Sequence, residues 1–326
     1  MTKARVSIAF FVISGWGCGN PFPALNYMRS SYTYTSDGNY PLKNTDYFGK
    51  EVVFEYDPST GDLKSVTDVN GKKTSYTYDA GFNMTSEKVY AYTTEAAPSG
   101  EPVSQRNFTY DSAWKDQMVS CGGKAMTYDA MGNLTSCDGM TFAWTGGRRL
   151  SRVTRADGTV ITYEYDLHGR RVEKMVGSEM QLFSYVGDRL FSCSTAGGAA
   201  YFSYDSVGNP VAILYNEVEY YYVKNLQGDI IGLVDGNGAW VVEYSYDAWG
   251  NVLSVTGTMA ATLGQDNPIR YRGYFYDAET GLYYLGSRYY SPELCSFISP
   301  DTLDILGVSN NLYYKNLYAY CDNNVG

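Results

Sequence analysis

Residues 160–170 read Val160-Ile161-Thr162-Tyr163-Glu164-Tyr165-Asp166-Leu167-His168-Gly169-Arg170. Ile161, Tyr163 and Tyr165 fall on one side of an extended chain and Thr162 and Glu164 on the other, the period-2 pattern of a strand with two different faces. The alternation stops at Asp166. Aspartate is favoured at the first position of a type I turn, where its carboxylate accepts from backbone N–H groups two or three residues on, and the fourth position wants a residue that tolerates positive φ. Gly169 meets that need at no steric cost. Asp166–Gly169 is therefore expected to be a hairpin turn closed by a G1-type bulge.

The same frame recurs along the chain. Tyr128-Asp129 leads to Gly132, Tyr204-Asp205 to Gly208 and Tyr246-Asp247 to Gly250, and the residue after each glycine is Asn133, Arg170, Asn209 or Asn251. Looser copies stand at Tyr56-Asp57, Tyr78-Asp79, Tyr110-Asp111 and Tyr276-Asp277. The preceding segments alternate in the same way, as in Val52-Phe54-Tyr56, Thr74-Tyr76-Tyr78 and Val242-Tyr244-Tyr246. A second hairpin type is expected between these turns, at Asn70-Gly71, Asp157-Gly158 and Asp235-Gly236-Asn237-Gly238. A repeating period of this order marks a repeat architecture. The expected fold is all-β, a repetitive antiparallel hairpin ribbon or curved sheet, with a tyrosine ladder on its inner face. Thr93–Gln105, rich in Thr, Glu, Ala, Pro, Ser and Gly, is expected to be an inserted surface loop.

Composition agrees with strands and tight turns: 326 residues contain 34 Tyr and 34 Gly but one His. A net charge of -10 with no basic stripe argues against a nucleic-acid or anionic-membrane partner. The six cysteines are scattered without a C-x-x-C pair, so neither a zinc site nor a dense disulfide framework is expected. At the N-terminus, Lys3 and Arg5 precede the apolar run Val6–Ile13, which has the layout of a short secretory signal too short to span a membrane; an accidental apolar start is the other reading.

The run Asn267-Pro268-Ile269-Arg270-Tyr271-Arg272-Gly273-Tyr274-Phe275-Tyr276-Asp277-Ala278-Glu279-Thr280-Gly281-Leu282-Tyr283-Tyr284-Leu285-Gly286-Ser287-Arg288-Tyr289-Tyr290 continues through Phe297-Ile298-Ser299-Pro300-Asp301 to Asn316-Leu317-Tyr318-Ala319-Tyr320. It resembles the core domain of the RHS (YD-repeat) proteins, and the resemblance covers roughly residues 47–324. It implies an organisation with a signal-like, irregular lead-in over 1–46, repeats over 47–266 and a core over 267–326. It also implies a secreted or cell-surface bacterial shell segment, too short to close on itself, that encapsulates or delivers a C-terminal toxin in competition between bacteria. Partners would be that toxin domain or the remaining shell repeats of a longer protein.

In many proteins of the family the core resembles an aspartyl autoprotease, and the position of its first aspartate corresponds to Asp301. The family has Gly-Arg before the phenylalanine where this chain has Cys295-Ser296, and its second aspartate lies in a run that does not follow Asn323-Asn324 here. An aspartyl mechanism needs two carboxylates sharing a proton. No autoproteolysis, no enzyme activity and no cofactor are therefore expected.

The remaining candidates have structural readings. The tyrosines could stack on glycans, which makes a carbohydrate-binding surface module or adhesin the alternative function, although cross-strand packing accounts for them as well. Asp129, Asp166, Asp205 and Asp247 are expected to cap turns rather than hold calcium. His168 is expected to be a solvated turn residue. Arg270, Arg272 and Arg288 are expected to stack on tyrosine rings and pair with Asp277, Glu279 or Asp301.

Overall fold

Strands that alternate apolar and polar side chains, separated mostly by short turns, pair with their sequence neighbours along most of the described chain. The computed structural model describes residues 4–8, 29–45, 49–93, 98, 100–195, 198–301 and 316–321. It falls into two compact units, residues 1–77 with 86–105, and residues 78–85 with 106–325.

In the first unit Arg29–Tyr34, Pro41–Thr45, Glu51–Tyr56, Leu63–Thr67 and Lys72–Tyr78 pair antiparallel in sequence order. Tyr32, Phe54, Leu63, Val66 and Tyr76 form its buried face. The buried Lys73 ammonium is satisfied by Glu55 at 2.7 Å. Of the signal-like segment only residues 4–8 are described, as a strand opposite Arg29–Tyr34; most of the apolar run lies outside the described residues. The expected loop over 93–105 lies between two strands and gives up only Ser104 and Gln105 to the second of them. Strand Met84–Tyr92 runs almost to its start, Ser104–Tyr110 begins inside it, and the Val103 N–H donates to the Val89 carbonyl at 2.7 Å.

In the second unit an antiparallel ribbon runs from Met118–Cys121 to Val252–Thr256, each strand paired with the next. Among the described residues the last strand pairs only with Trp240–Tyr246, so the ribbon is open there. Ile161, Tyr163, Phe183, Phe202, Ile213, Tyr222 and Val242 are buried on one face. Phe191, Tyr201, Leu182 and Leu214 are exposed. After a one-turn helix at Leu263–Asp266 the chain forms a small sheet of Phe275–Asp277, Leu282–Tyr284, Tyr289–Ser291 and Ser296–Phe297. No helix among the described residues is long and apolar enough to cross a membrane.

The Tyr-Asp-x-x-Gly turns have one geometry. The Asp166 N–H donates to the Arg170 carbonyl at 2.9 Å, and the Gly169 N–H to the Asp166 carbonyl at 3.0 Å. Asp129, Asp205 and Asp247 repeat both bonds. Gly132, Gly169, Gly208 and Gly250 have φ of 83°, 80°, 99° and 94°, the left-handed values that favour glycine. The strand register slips between Glu164 and Tyr165, which is the expected bulge.

Two details of the expected turn chemistry are corrected. The carboxylate Oδ1 accepts from the N–H groups two and four residues on, as His168 and Arg170 donate to Asp166, both at 2.9 Å. The reason is that the left-handed glycine swings the fourth N–H back over the aspartate. The second oxygen accepts from the residue after the glycine, from Asn133, Asn209 and Asn251 at 2.7–2.8 Å and from the Arg170 side chain at 2.8 Å. The second hairpin type expected at Asn70-Gly71, Asp157-Gly158 and Asp235–Gly238 is the same turn again. Gly71 donates to Asp68, Gly158 to Arg155 and Gly238 to Asp235, each closing the same ring of residues. The different hairpins are two-residue left-handed turns, such as Asp138-Gly139 between Cys137 and Met140, or Asn216-Glu217 between Tyr215 and Val218.

Candidate functional site

The repeat tyrosines use their hydroxyls on the strand before them. Tyr128 donates to the Met118 carbonyl at 2.6 Å, Tyr165 to Leu150 at 2.8 Å and Tyr246 to Ile230 at 2.8 Å. Each acceptor lies at or next to the start of the preceding strand, so one ring ties two successive turns together. Tyr204 is half-buried like the other three. These hydroxyls are internal ties, and the half-buried rings serve cross-strand packing.

The turn glycines do something the sequence reading did not foresee: they seat the tyrosines of the C-terminal segment. Tyr318 donates its hydroxyl to the Gly132 carbonyl at 2.7 Å, Tyr283 to Gly250 at 2.8 Å and Tyr284 to Gly169 at 3.4 Å. Tyr271 and Tyr290 donate to Ala248 and Trp249 in the Asp247 turn, at 2.9 and 2.8 Å. The glycines also make room for the rings. An added Cβ at Gly250 would lie 2.6 Å from a Tyr271 ring carbon, and one at Gly132 would lie 2.5 Å from the Tyr318 hydroxyl oxygen and 2.6 Å from Trp114. Burial pushes Tyr318 up to about 12 and Tyr283 further, so both remain protonated donors. Gly208 is covered by Arg189, at the start of strand Arg189–Thr195, as Gly169 is by Arg149.

Backbone pairing reinforces the seats. Leu134 N–H donates to Ile298 at 2.9 Å and Ile230 N–H to Arg270 at 3.1 Å. Aromatic rings fill the space above, with Tyr290 and Tyr320 stacked at 4.2 Å between centroids and Tyr271 tilted against Tyr246 and Tyr283, 5.9 Å from each.

Between these seats lies a buried charge cluster. Arg171, 0% exposed, pairs with the equally buried Asp277. Lys174 bridges Asp277 and Glu279, each at 3.0 Å. Phe275, Tyr284, Phe183 and Tyr163 surround the Arg171 guanidinium at 4.5–5.3 Å from their centroids. Burial alone would raise Asp277, but Arg171 and Lys174 outweigh it and hold the carboxyl below its usual range. The same carboxylate holds Arg171 well above the ordinary guanidinium range against its own burial. Two cations on the repeat strand Arg171–Val176 thus match two carboxylates two residues apart in the core.

This corrects the expected partners of the core arginines. Arg270 stacks on Tyr276 at 4.6 Å and donates to the Gly264 carbonyl, while Arg272 lies over Tyr271 and beside Asp229 at 3.5 Å. Neither reaches Asp277 or Glu279, because the repeat strand supplies Arg171 and Lys174 there first. Arg288 does pair with Asp301, at 2.8 Å. The signal for Arg171 and Lys174 was present as two cations in the strand Arg171–Val176, which has no aromatic residue to draw attention to it.

Asp301, the family-position candidate, is held on two sides. Its carboxylate meets Arg288, and its N–H donates to the Leu317 carbonyl at 3.0 Å. Cys295 stands at φ 55°, a left-handed position, with its buried thiol 3.6 Å from the Pro292 carbonyl, and Ser296 Oγ lies 3.2 Å from the Tyr318 carbonyl. His168 is exposed at its turn, as expected.

The teneurin YD-shell family matches residues 99–325, and the RHS repeat matches residues 56–95. The tRNA3(Ser)-specific nuclease WapA of Bacillus spizizenii is 33% identical over 292 residues, which cover 88% of this chain and 11% of that protein. Toxin protein Tse5 of Pseudomonas aeruginosa is 28% identical over 242 residues, covering 59% of this chain and 18% of Tse5. A structure of a Photorhabdus luminescens Tc holotoxin pore superposes with a TM-score of 0.64 at 20% identity, over 91% of this chain and 17% of that one. The chain thus spans about a ninth of the length of the first of these relatives.

Proposed function

The chain belongs to the teneurin YD-shell family of RHS-repeat proteins, and on that premise we propose that it is a stretch of shell wall that helps enclose and deliver a toxin carried by a longer bacterial protein, secreted or displayed at the cell surface. The observation that carries this reading is the docking of the C-terminal segment onto the repeat turns by Tyr318, Tyr284 and Tyr283. A ribbon of hairpins exposes one apolar face, and here a segment from the end of the chain covers it and fixes its curvature. The relatives carry toxin and nuclease names, and this chain matches only a small part of each. Chemistry of that kind is therefore assigned to a cargo, not to this wall.

The wall itself is proposed not to cut its own chain. Asp301 is engaged by Arg288, and Cys295-Ser296 occupies the place of the family's Gly-Arg. The test is to purify the full-length protein containing this segment and image it by electron microscopy, with limited proteolysis alongside. A hollow β shell with internal density and a protease-resistant cargo is expected. A solid or extended particle whose cargo is digested as fast as the free domain would overturn the proposal.

A further inference from the structure

Beside the Gly169 seat the second unit opens into a cleft of about 290 Å³, lined among others by Arg148, Arg149, Arg288, His168, Tyr165 and Asp301. Arg148 donates to the Pro300 carbonyl at 2.6 Å. Arg288 is occupied by Asp301, with its guanidinium carbon 3.6 Å from the Phe297 ring centroid. Arg149 is exposed and lies over the turn glycine, its Nη2 3.3 Å from where a Cβ on Gly169 would stand. Among the described residues no carboxylate lies within ion-pair distance of Arg148 or Arg149, so three guanidinium charges face one carboxylate and two remain unbalanced. This occurs in a chain of net charge -10. The buried Arg171 cluster is different: there two cations meet two carboxylates and the formal charges balance.

We propose that this cleft binds a small oxyanion, a phosphate or carboxylate group, between Arg148 and Arg149. Guanidinium forks present paired N–H donors that match two oxygens of such a group, and charge-assisted bonds of this kind are the stronger class. Tyr165 and Tyr289, whose hydroxyls share a bond of 2.8 Å, line the same cleft. Asp301 is already neutralised by Arg288, so it does not repel the incoming anion with its full charge. His168 stands at the exposed mouth.

The test titrates the chain with inorganic phosphate at constant ionic strength and follows the phosphorus NMR line, with acetate as competitor. Saturable broadening is expected, weakened about tenfold or more in Arg149→Gln and in Arg148→Gln. It should be unchanged in Arg189→Gln, which alters an arginine at another turn. Arg149→Gln is the decisive variant, because Arg148 also holds Pro300. Displacement by acetate supports a carboxylate as the natural group, and failure of acetate to displace phosphate supports phosphate. Absence of saturable broadening, or equal affinity in the wild type and both cleft variants, overturns the proposal.

Discussion

The Tyr318 hydroxyl donates to the carbonyl of Gly132, 186 residues earlier in the chain, at 2.7 Å. The acceptor belongs to the backbone of a repeat turn and the donor to the C-terminal segment, and the same relation holds between Tyr283 and Gly250. Replacing Tyr318 by Phe keeps the ring and removes the donor. It is expected to cost about 1–2 kcal/mol in urea unfolding, the range for a buried carbonyl left without its partner. Limited proteolysis should release the C-terminal segment sooner than in the wild type; an unchanged midpoint and cleavage rate would show that the bond contributes nothing.

The turn glycines should fall into two classes. Gly158→Ala meets open space and only the left-handed backbone, φ 84°, so it should cost roughly 1–2 kcal/mol. Gly250→Ala adds a clash with the Tyr271 ring and should cost at least about 2 kcal/mol more, as overpacking does. Chemical denaturation of the two variants side by side checks this, and equal losses would show that the Tyr271 ring does not press on Gly250.

Removing Asp277 strands the buried Arg171, and removing Arg171 leaves the buried Asp277 with Lys174 alone. Arg171→Met or Asp277→Leu alone is expected to cost about 3–5 kcal/mol, and the double variant less than the sum. Lys174 keeps Glu279 in either case. Strict additivity in the double-mutant cycle would mean that the two side chains are not coupled.

The same pair sets a pH dependence. The folded Asp277 carboxyl sits below its unfolded value, so its contribution is complete above the unfolded carboxylate pKa of about 3.9 and is lost as pH falls through the lower folded value. Asp205 and Asp57 in the turns are also lowered, chiefly by side-chain hydrogen bonds from Asn209 and Ser59, and act in the same direction. Stability measured in urea should therefore drop below about pH 4. The drop should be shallower in Asp277→Asn, and an equally steep one would assign the acid lability to the turns alone.

What was legible in the sequence is what local chemistry decides. Alternation in Ile161-Tyr163-Tyr165 and the glycine four places into Asp166–Gly169 specify a strand and its turn without reference to the rest of the chain. The turn at Arg155–Gly158 was misread because its first residue is not aspartate, although the backbone closes it in the same way. The seats were not legible, since a glycine carbonyl carries no side-chain signature of what will bond to it over a hundred residues later. Arg171 and Lys174 escaped notice for a similar reason: a charge in a strand reads as an outward position until its partner, Asp277, is known.

The acceptors at Gly132, Gly169 and Gly250 are main-chain atoms, so the C-terminal segment reads the shape of a turn and not its wording. Leu167 and His168, or Ala130 and Met131, can drift freely at the tips as long as the left-handed glycine persists. Substitution at those tips leaves the clasp intact, whereas the strand bearing Arg171 and Lys174 is recognised by its side chains and is not interchangeable with its neighbours.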